Sequence, residues 1–403
     1  MHVSQTYCGL PYYGMTIHAD GGLGICCSQN REFNFGHISE TEDLYDAWAN
    51  EDNIQRLRYE DGKDRKHACG GCLKHKELGV NRWHLLNTQE NNLKKINPYL
   101  EIPIDGKIRF LEFTTSNLCN QACSSCSSFF STKWIPLEKQ ALEMGVPLDE
   151  WKDQSSGSFN SFGWKQYRMN DEDVKKILKI LPDLHILYIK GGEPFADQLN
   201  FKVLEELVRV NPQCRVELSS NVSKIPQKFI DVFKKVKNVS LSCSIDGIDD
   251  TYEWIRSTPF NQTVENIKRW HSAGIAGHVS VSYNISAYNY YHTTDFLKWF
   301  NENLLEEVNT VGVASWIRSP RFISPMTLFN ESDITNNIEE IENLNLPKER
   351  FRMDYLRGKR YEFITIKEET QREHKKRFHT YTQFMNFIRN TDIYSMHPQL
   401  KNI

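Results

Sequence analysis

Three cysteines, Cys119, Cys123 and Cys126, stand as Cys-x3-Cys-x2-Cys in Thr115-Ser116-Asn117-Leu118-Cys119-Asn120-Gln121-Ala122-Cys123-Ser124-Ser125-Cys126. Three thiolates in so short a loop can hold three corners of a four-iron, four-sulfur cluster and leave the fourth iron without a protein ligand. An open iron implies chemistry: electron carriers give every iron a thiolate, whereas a missing ligand leaves room for a substrate or cofactor. A zinc site completed by a residue from elsewhere, or three buried thiols, would use the same residue types, but the spacing favours the cluster.

A second group follows the next apolar run. In Gly191-Gly192-Glu193-Pro194 the glycines let backbone approach a ligand, and Glu193 can accept hydrogen bonds from a cationic amine. Taken alone these residues also read as a turn. One strand beyond a three-cysteine loop, they read as a site.

The N-terminal stretch holds a further set. Cys8, Cys26, Cys69 and Cys72 supply four thiolates that would suit either a four-iron cluster or zinc, and spacing alone does not choose. Cys26 and Cys27 are adjacent, so in a strand they point to opposite faces. Cys27 shares its parity with apolar Leu23 and Ile25, which makes Cys26 the expected ligand.

The cysteine loop followed by Gly-Gly-Glu resembles the radical S-adenosylmethionine (SAM) superfamily, whose partial (β/α)6 barrel carries the cluster loop after strand one and Gly-Gly-Glu after strand two. The resemblance implies that SAM chelates the fourth iron of a [4Fe-4S] cluster, with Gly191, Gly192, Glu193 and Pro194 around its amino group. One electron from the reduced cluster would then cleave the sulfonium, and the 5′-deoxyadenosyl radical would abstract hydrogen from a substrate. The outcome would be modification or oxidation of a peptide, protein or small molecule, a peptide being slightly favoured. An external one-electron reductant such as flavodoxin or ferredoxin would be a partner.

Two more strand ends fit the same picture. Ser219-Ser220-Asn221 resembles the family's Thr-Asn-Gly element, with Ser and Val where that pattern has Thr and Gly. Ser244-Ile245-Asp246-Gly247 with Arg256 is similar to a Ser-x-Asp-Gly…Arg pattern. Ser219, Asn221, Ser244, Asp246 and Arg256 are therefore candidate contacts to ribose hydroxyls and the methionine carboxylate; strand-ending turns and a surface arginine are the plain alternative. The N-terminal set, spaced by Gly21, Gly36-His37-Ile38, Leu44, Ala47-Trp48 and Arg56, resembles the twitch domain, the shortened SPASM module. That implies an auxiliary [4Fe-4S] cluster on Cys8, Cys26, Cys69 and Cys72, able to take up an electron from a substrate radical. In the better-known enzymes this module follows the barrel, and here it precedes it.

The elements that must position these residues are legible as apolar periodicity. Strand-like runs at 108–113, 186–190, 215–219, 239–244, 279–283 and 310–314 alternate with helical patterns at 171–180, 201–210, 226–236 and 264–273. That rhythm predicts parallel strands with helical crossovers, hence an α/β sheet or partial barrel with its site at strand C-termini. Domains are expected at 1–80 (auxiliary cluster), 108–320 (barrel) and 321–403 (helical extension), with a linker at 81–107. Within the first, Met15 and Ile17, the turn Asp20-Gly21-Gly22, then Leu23 and Ile25 predict a hairpin, and Ser39 with Glu42 a capping box. Residues 127–170 would form a lid, a substrate wall or a surface excursion. Cys214 and Cys243 should be buried spectators, and the tail should pack on the barrel through Ile334, Ile338, Ile341, Phe384, Phe387 and Ile388.

Bulk properties bound the rest. The 403 residues are 39% hydrophobic and 12% aromatic, enough for large cores without staples. A net charge of -3 gives no general case for nucleic acid or anionic membrane. There is no basic start followed by an apolar core and no apolar run long enough to cross a bilayer, so a cytoplasmic protein is expected, its ten cysteines reduced, metal-bound or catalytic. Two rivals use the same residues differently: a zinc-stabilised α/β binding protein, and an iron-sulfur electron carrier without SAM chemistry.

Overall fold

Each strand-like run pairs with the next in register, and the helices cover one face of what becomes a single nine-stranded sheet. The computed structural model describes residues 10–27, 29–49, 69, 103–146, 148, 167–317, 319–352 and 368–403. Its strands are β1 (Gly14–Ile17), β2 (Leu23–Gly24), β3 (Phe110–Phe113), β4 (Ile186–Ile189), β5 (Arg215–Ser220), β6 (Val239–Ser244), β7 (Gly277–Ile285), β8 (Thr310–Trp316) and β9 (Phe351–Arg352). They lie in the order β2-β1-β3-β4-β5-β6-β7-β8-β9, parallel throughout except for β2 against β1. The sheet does not close, and β3 to β8 with their helical connections form the expected partial barrel.

The helices used below are α1 (Trp134–Glu143), α2 (Asp171–Ile180), α3 (Gln198–Val210), α4 (Gln227–Phe233), α5 (Asp249–Arg256), α6 (Phe260–Ser272), α7 (Thr293–Asn303), α8 (Glu331–Glu342) and α9 (Glu368–Arg389). Strand alternation divides the sheet's two faces. Val216 and Leu218 on β5 and Val239, Leu241 and Cys243 on β6 join the helical core, where Cys214 is buried too. Ser219, Ser242 and Ser244 take the opposite face, with Ser219 paired to Ser242, Ser242 to Ser280, and Ser244 to Ser282. A band of small hydroxyl side chains thus crosses three strands.

Three features depart from sequence expectation. The N-terminal hairpin forms, with Ile17 opposite Leu23. It is not a free-standing sheet, because β1 also pairs in parallel with β3, Gly14 against Phe110 through Ile17 against Phe113. All four β1 residues are buried, as suits a strand covered on both faces, and β1 removes the open edge that β3 would otherwise present. The expected Ser39 cap lies instead in a 3-10 turn, Ile38–Glu40; the following helix, Leu44–Ala49, starts at Asp43, whose Oδ1 accepts the Tyr45 N–H at 2.7 Å. On α9 the packing stripe is Phe378, Tyr381, Phe384 and Met385, and Phe387 is 60% exposed on the other side. On α8, Ile334, Ile338 and Ile341 are buried as expected. Residues 81–102 and 149–166 lie outside the described residues. Among the described residues no helix is long and apolar enough to cross a membrane.

If β1 belongs to the barrel's cooperative unit, Met15→Ala, at a fully buried position, should lower stability by about 2–4 kcal/mol in one urea transition. A second transition left unmoved by the substitution would show that the hairpin melts alone.

Candidate active site

The loop that leaves β3 is anchored by buried polar side chains before it reaches its cysteines. Thr115 Oγ1 and Ser116 Oγ donate to Asp197 Oδ2 at 3.0 and 2.6 Å, and Asn117 Nδ2 donates to the Ser128 carbonyl at 2.9 Å. Asp197 also caps α3 by accepting the Leu199 N–H. One carboxylate therefore ties the cysteine loop to the element after β4. Asp197, and Asn200 whose Oδ1 accepts from the same Thr115 hydroxyl at 3.0 Å, carry no motif of their own and were not legible in the sequence.

Cys119 and Cys123 are buried and Cys126 half-buried on this loop. Burial pushes the Cys119 thiol up to about 12, with the neighbouring Cys123 adding to it. Burial likewise raises Cys123, and raises Cys126 well above a free thiol, to which Cys123 and Cys119 contribute. Each charge thus makes the next harder to form, a donor set that a bound cationic group would relieve. Among the described residues no three His, Cys, Asp or Glu side chains converge as one metal ion would require. A four-iron cluster takes each thiolate on a different iron, so its ligands need not meet at a point.

Arg256, at the end of α5, adds the complementary charge. Its Nη1 lies 3.7 Å from Cys123 Sγ and its Nη2 pairs with Asp246 Oδ2 at 2.5 Å, while Nε is buried without a partner. An unspent donor on a buried guanidinium beside three thiols fits an anionic group held there. Asp246 also accepts the Asn284 N–H at 2.9 Å, so its carboxylate braces Arg256 and β7. Arg256 is thus no surface arginine. Ser244 stays in the hydroxyl band, in register with Ser282 and away from this pair.

Gly191 and Gly192 seat the loop after β4 directly on the cysteine loop. A Cβ at Gly192 would stand 2.2 Å from the Leu118 carbonyl oxygen, and one at Gly191, where φ is +127°, would strike Thr114. The Gly192 and Glu193 N–H groups donate to Ser116 O (3.2 Å) and Leu118 O (2.8 Å). The close approach that the glycines permit is therefore to backbone of the chain itself. Pro194 then opens a 3-10 turn whose Phe195 N–H donates to Glu193 Oε1.

Glu193 is 4% exposed. Its carboxylate also accepts from Ser220 Oγ at 2.7 Å and from the Asn221 N–H at 2.8 Å. Burial nevertheless pushes it up to about 7, against those hydrogen bonds. Asn221 Nδ2 donates to Asn120 Oδ1 at 3.0 Å and lies 3.8 Å from Cys119 Sγ, joining carboxylate and thiol. Ser219 instead meets the Tyr188 hydroxyl at 2.7 Å, because successive side chains on β5 alternate faces. Ser220 is the serine that reaches Glu193.

Of the N-terminal set, Cys26 is buried beside Leu10, Tyr13 and Phe110, Cys27 is exposed, and Cys69 is half-buried against the core. Cys8 and Cys72 lie outside the described residues. His37, between them in sequence, is engaged by Asp20 O at 2.6 Å and Ser39 Oγ at 2.7 Å.

Two outcomes test this geometry. Gly192→Ala should displace the 116–118 backbone and lower the iron retained after anaerobic reconstitution by half or more, measured by iron assay. Glu193 takes a proton more readily in the folded chain than at its ordinary value of 4.5, so folding favours the protonated acid. Stability of the cluster-free chain should thus fall as pH rises from about 4.5 to about 7, and urea titrations of Glu193→Gln should lack that component.

Residues 113–299 match the model of the Radical SAM superfamily, and residues 8–73 match SPASM, an iron-sulfur cluster-binding domain. No curated protein matches the sequence. Solved structures that match include native anSMEcpe with bound AdoMet, at 13% identity over 57% of this chain and 57% of that one, TM-score 0.39. Streptococcus suis SuiB bound to the precursor peptide SuiA matches at 13% over 74% and 64%, TM-score 0.36. The radical S-adenosylmethionine methyltransferase TsrM from Kitasatospora setae matches at 12% over 55% and 36%, TM-score 0.34. The chain spans 57% of the length of the anSMEcpe structure. The cofactors that accompany the two domain matches are SAM with a [4Fe-4S] cluster and an N-terminal iron-sulfur cluster. The three thiols gathered after β3, with the buried Glu193 against them, lie in the segment of the chain that matches the Radical SAM superfamily, and the segment that matches the SPASM iron-sulfur domain is set ahead of it.

Proposed function

We propose that the chain uses Cys119, Cys123 and Cys126 to hold three irons of a [4Fe-4S] cluster and binds SAM at the fourth, for hydrogen abstraction from a peptide or small molecule. The carrying observation is that the cysteine loop and Glu193 share one buried seat, made by the Gly192 and Glu193 N–H bonds to Ser116 and Leu118. When bound, these cofactors supply a 5′-deoxyadenosyl radical able to take hydrogen from an unactivated carbon.

The protein's own part is placement and dryness. Glu193, held by Ser220 and the Asn221 N–H, offers a carboxylate that an ammonium group would keep ionised. Arg256, braced by Asp246, sets a positive charge against Cys123. Asn221 links the Glu193 shelf to Cys119. Burial of Cys119, Cys123, Glu193 and Asn221 keeps bulk water from the reacting groups. Ser219, Ser242, Ser244, Ser280 and Ser282 line a face where hydroxyls can meet polar parts of a ligand.

In the same proposal Cys8, Cys26, Cys69 and Cys72 would hold the N-terminal cluster, which would supply an electron acceptor suited to oxidation or cross-linking. An external flavodoxin or ferredoxin supplies the electron, and a reducing cytoplasm keeps the thiols available.

Anaerobically reconstituted protein should show an electron paramagnetic resonance signal that shifts on adding SAM, and with dithionite should release 5′-deoxyadenosine. Each of Cys119→Ala, Cys123→Ala and Cys126→Ala should abolish both. An unmodified protein that loads iron but shows neither response refutes the proposal. Deuterium transfer from labelled candidate peptides into 5′-deoxyadenosine then identifies substrate and position.

A further inference from the structure

Three successive carbonyls of the cysteine loop, those of Ala122, Cys123 and Ser124, each accept a hydrogen bond from a side chain outside it. Arg389 Nη2 donates to Ala122 O, Trp134 Nε1 to Cys123 O at 3.0 Å, and Tyr381 Oη to Ser124 O at 2.7 Å. Two of the three donors sit on α9, more than 250 residues along the chain. Tyr381 is fully buried and stacks on Trp134 at 6.5 Å with 20° between planes. Arg389 also donates from Nε to Trp254 O at 2.9 Å, and Asn386 Oδ1 accepts the Trp254 Nε1–H at 2.9 Å, so α9 is fastened to α5 as well. A guanidinium held by two carbonyls cannot swing away from the loop.

No carboxylate pairs with Arg389 among the described residues; its partners are two neutral carbonyls. Arg256, the other arginine at the loop, has the Asp246 carboxylate as its counter-ion and shares its charge between Asp246 and Cys123. The uncompensated positive charge beside Cys123 is therefore the one that α9 brings. A positive charge near a cluster favours the form carrying the extra electron and raises its reduction potential.

We infer that Arg389 is a positioning residue of the cysteine loop whose charge raises the potential of the cluster held there, with Tyr381 as the second anchor of the same helix. The inference rests on the function proposed above and assigns α9, which carries no motif, a part in setting how readily the cluster is reduced. Arg256 meets the loop at the Cys123 sulfur and Arg389 meets it at the Ala122 carbonyl. Tyr381 fixes where α9 lies, and Arg389 supplies its electrostatic effect.

The test is a redox titration of the full anaerobic chain, following only the signal that responds to SAM, so that an N-terminal cluster does not confuse the reading. Arg389→Gln should cut the reduced-to-oxidised ratio at a fixed poise by about tenfold, which is 59 mV for a one-electron couple. Arg389→Lys should restore most of it. Tyr381→Phe should lower iron retention with a smaller change in potential. Arg389→Gln that loads iron and titrates like the unmodified chain overturns the inference. If Arg389→Gln does not load iron, Arg389→Lys decides: loading with near-normal potential supports the role of charge, and loss of iron in both variants refutes it. Absence of any SAM-responsive signal in the unmodified chain refutes the functional reading itself.

Discussion

Three thiols whose proton affinity is raised chiefly by burial, with Cys123 adding to that of Cys119 and both adding to that of Cys126, are gathered in one loop, and most of the surrounding structure compensates that arrangement. Without a cationic group the thiolates are costly in a low-dielectric site, so the loop must be held from outside by neutral donors and fixed positive charge. Asp197 ties its start, the glycine shelf seats its middle, and Arg256 stands against its central sulfur. Removing any one support leaves polar groups buried and unpaired, which makes these contacts mutually dependent.

The same economy explains Glu193. A carboxylate buried among Ser220, Asn221 N–H and Phe195 N–H is neither solvated nor paired with a cation among the described residues, and its raised proton affinity records that burial. The site thus combines a donor set needing positive charge with an acceptor needing an ammonium partner. In the proposed reading, a cluster on the thiols and an ammonium group at Glu193 would meet those two requirements together on adjoining backbone.

Joining β1 to β3 places the N-terminal hairpin on the barrel's own sheet. Cys26 follows β2 closely, so its position is coupled through two strands to the β3 end from which the cysteine loop departs. Hydrogen-bonded strands transmit position better than a flexible tether, which suits an N-terminal domain whose proposed role depends on a fixed relation to the barrel.

By itself the sequence determined the strand and helix alternation, because apolar period is a local property that each element must satisfy to bury one face. The core strands at 186–190 and 239–244 and the helix at 171–180 lie within a residue of where periodicity put them. It also determined the cysteine loop and Gly-Gly-Glu, whose spacing is set by what backbone can bring together over a few residues. Tertiary structure alone decided what those residues touch: that the glycines clear space for the Leu118 carbonyl, that Ser220 and not Ser219 reaches Glu193, that Asp246 is spent on Arg256, and that β1 continues the barrel. The C-terminal helix is the extreme case. Arg389 and Ala122 are 267 residues apart, and a hydrogen bond between a helix-end side chain and a distant carbonyl leaves no period, spacing or composition by which it could be read in advance.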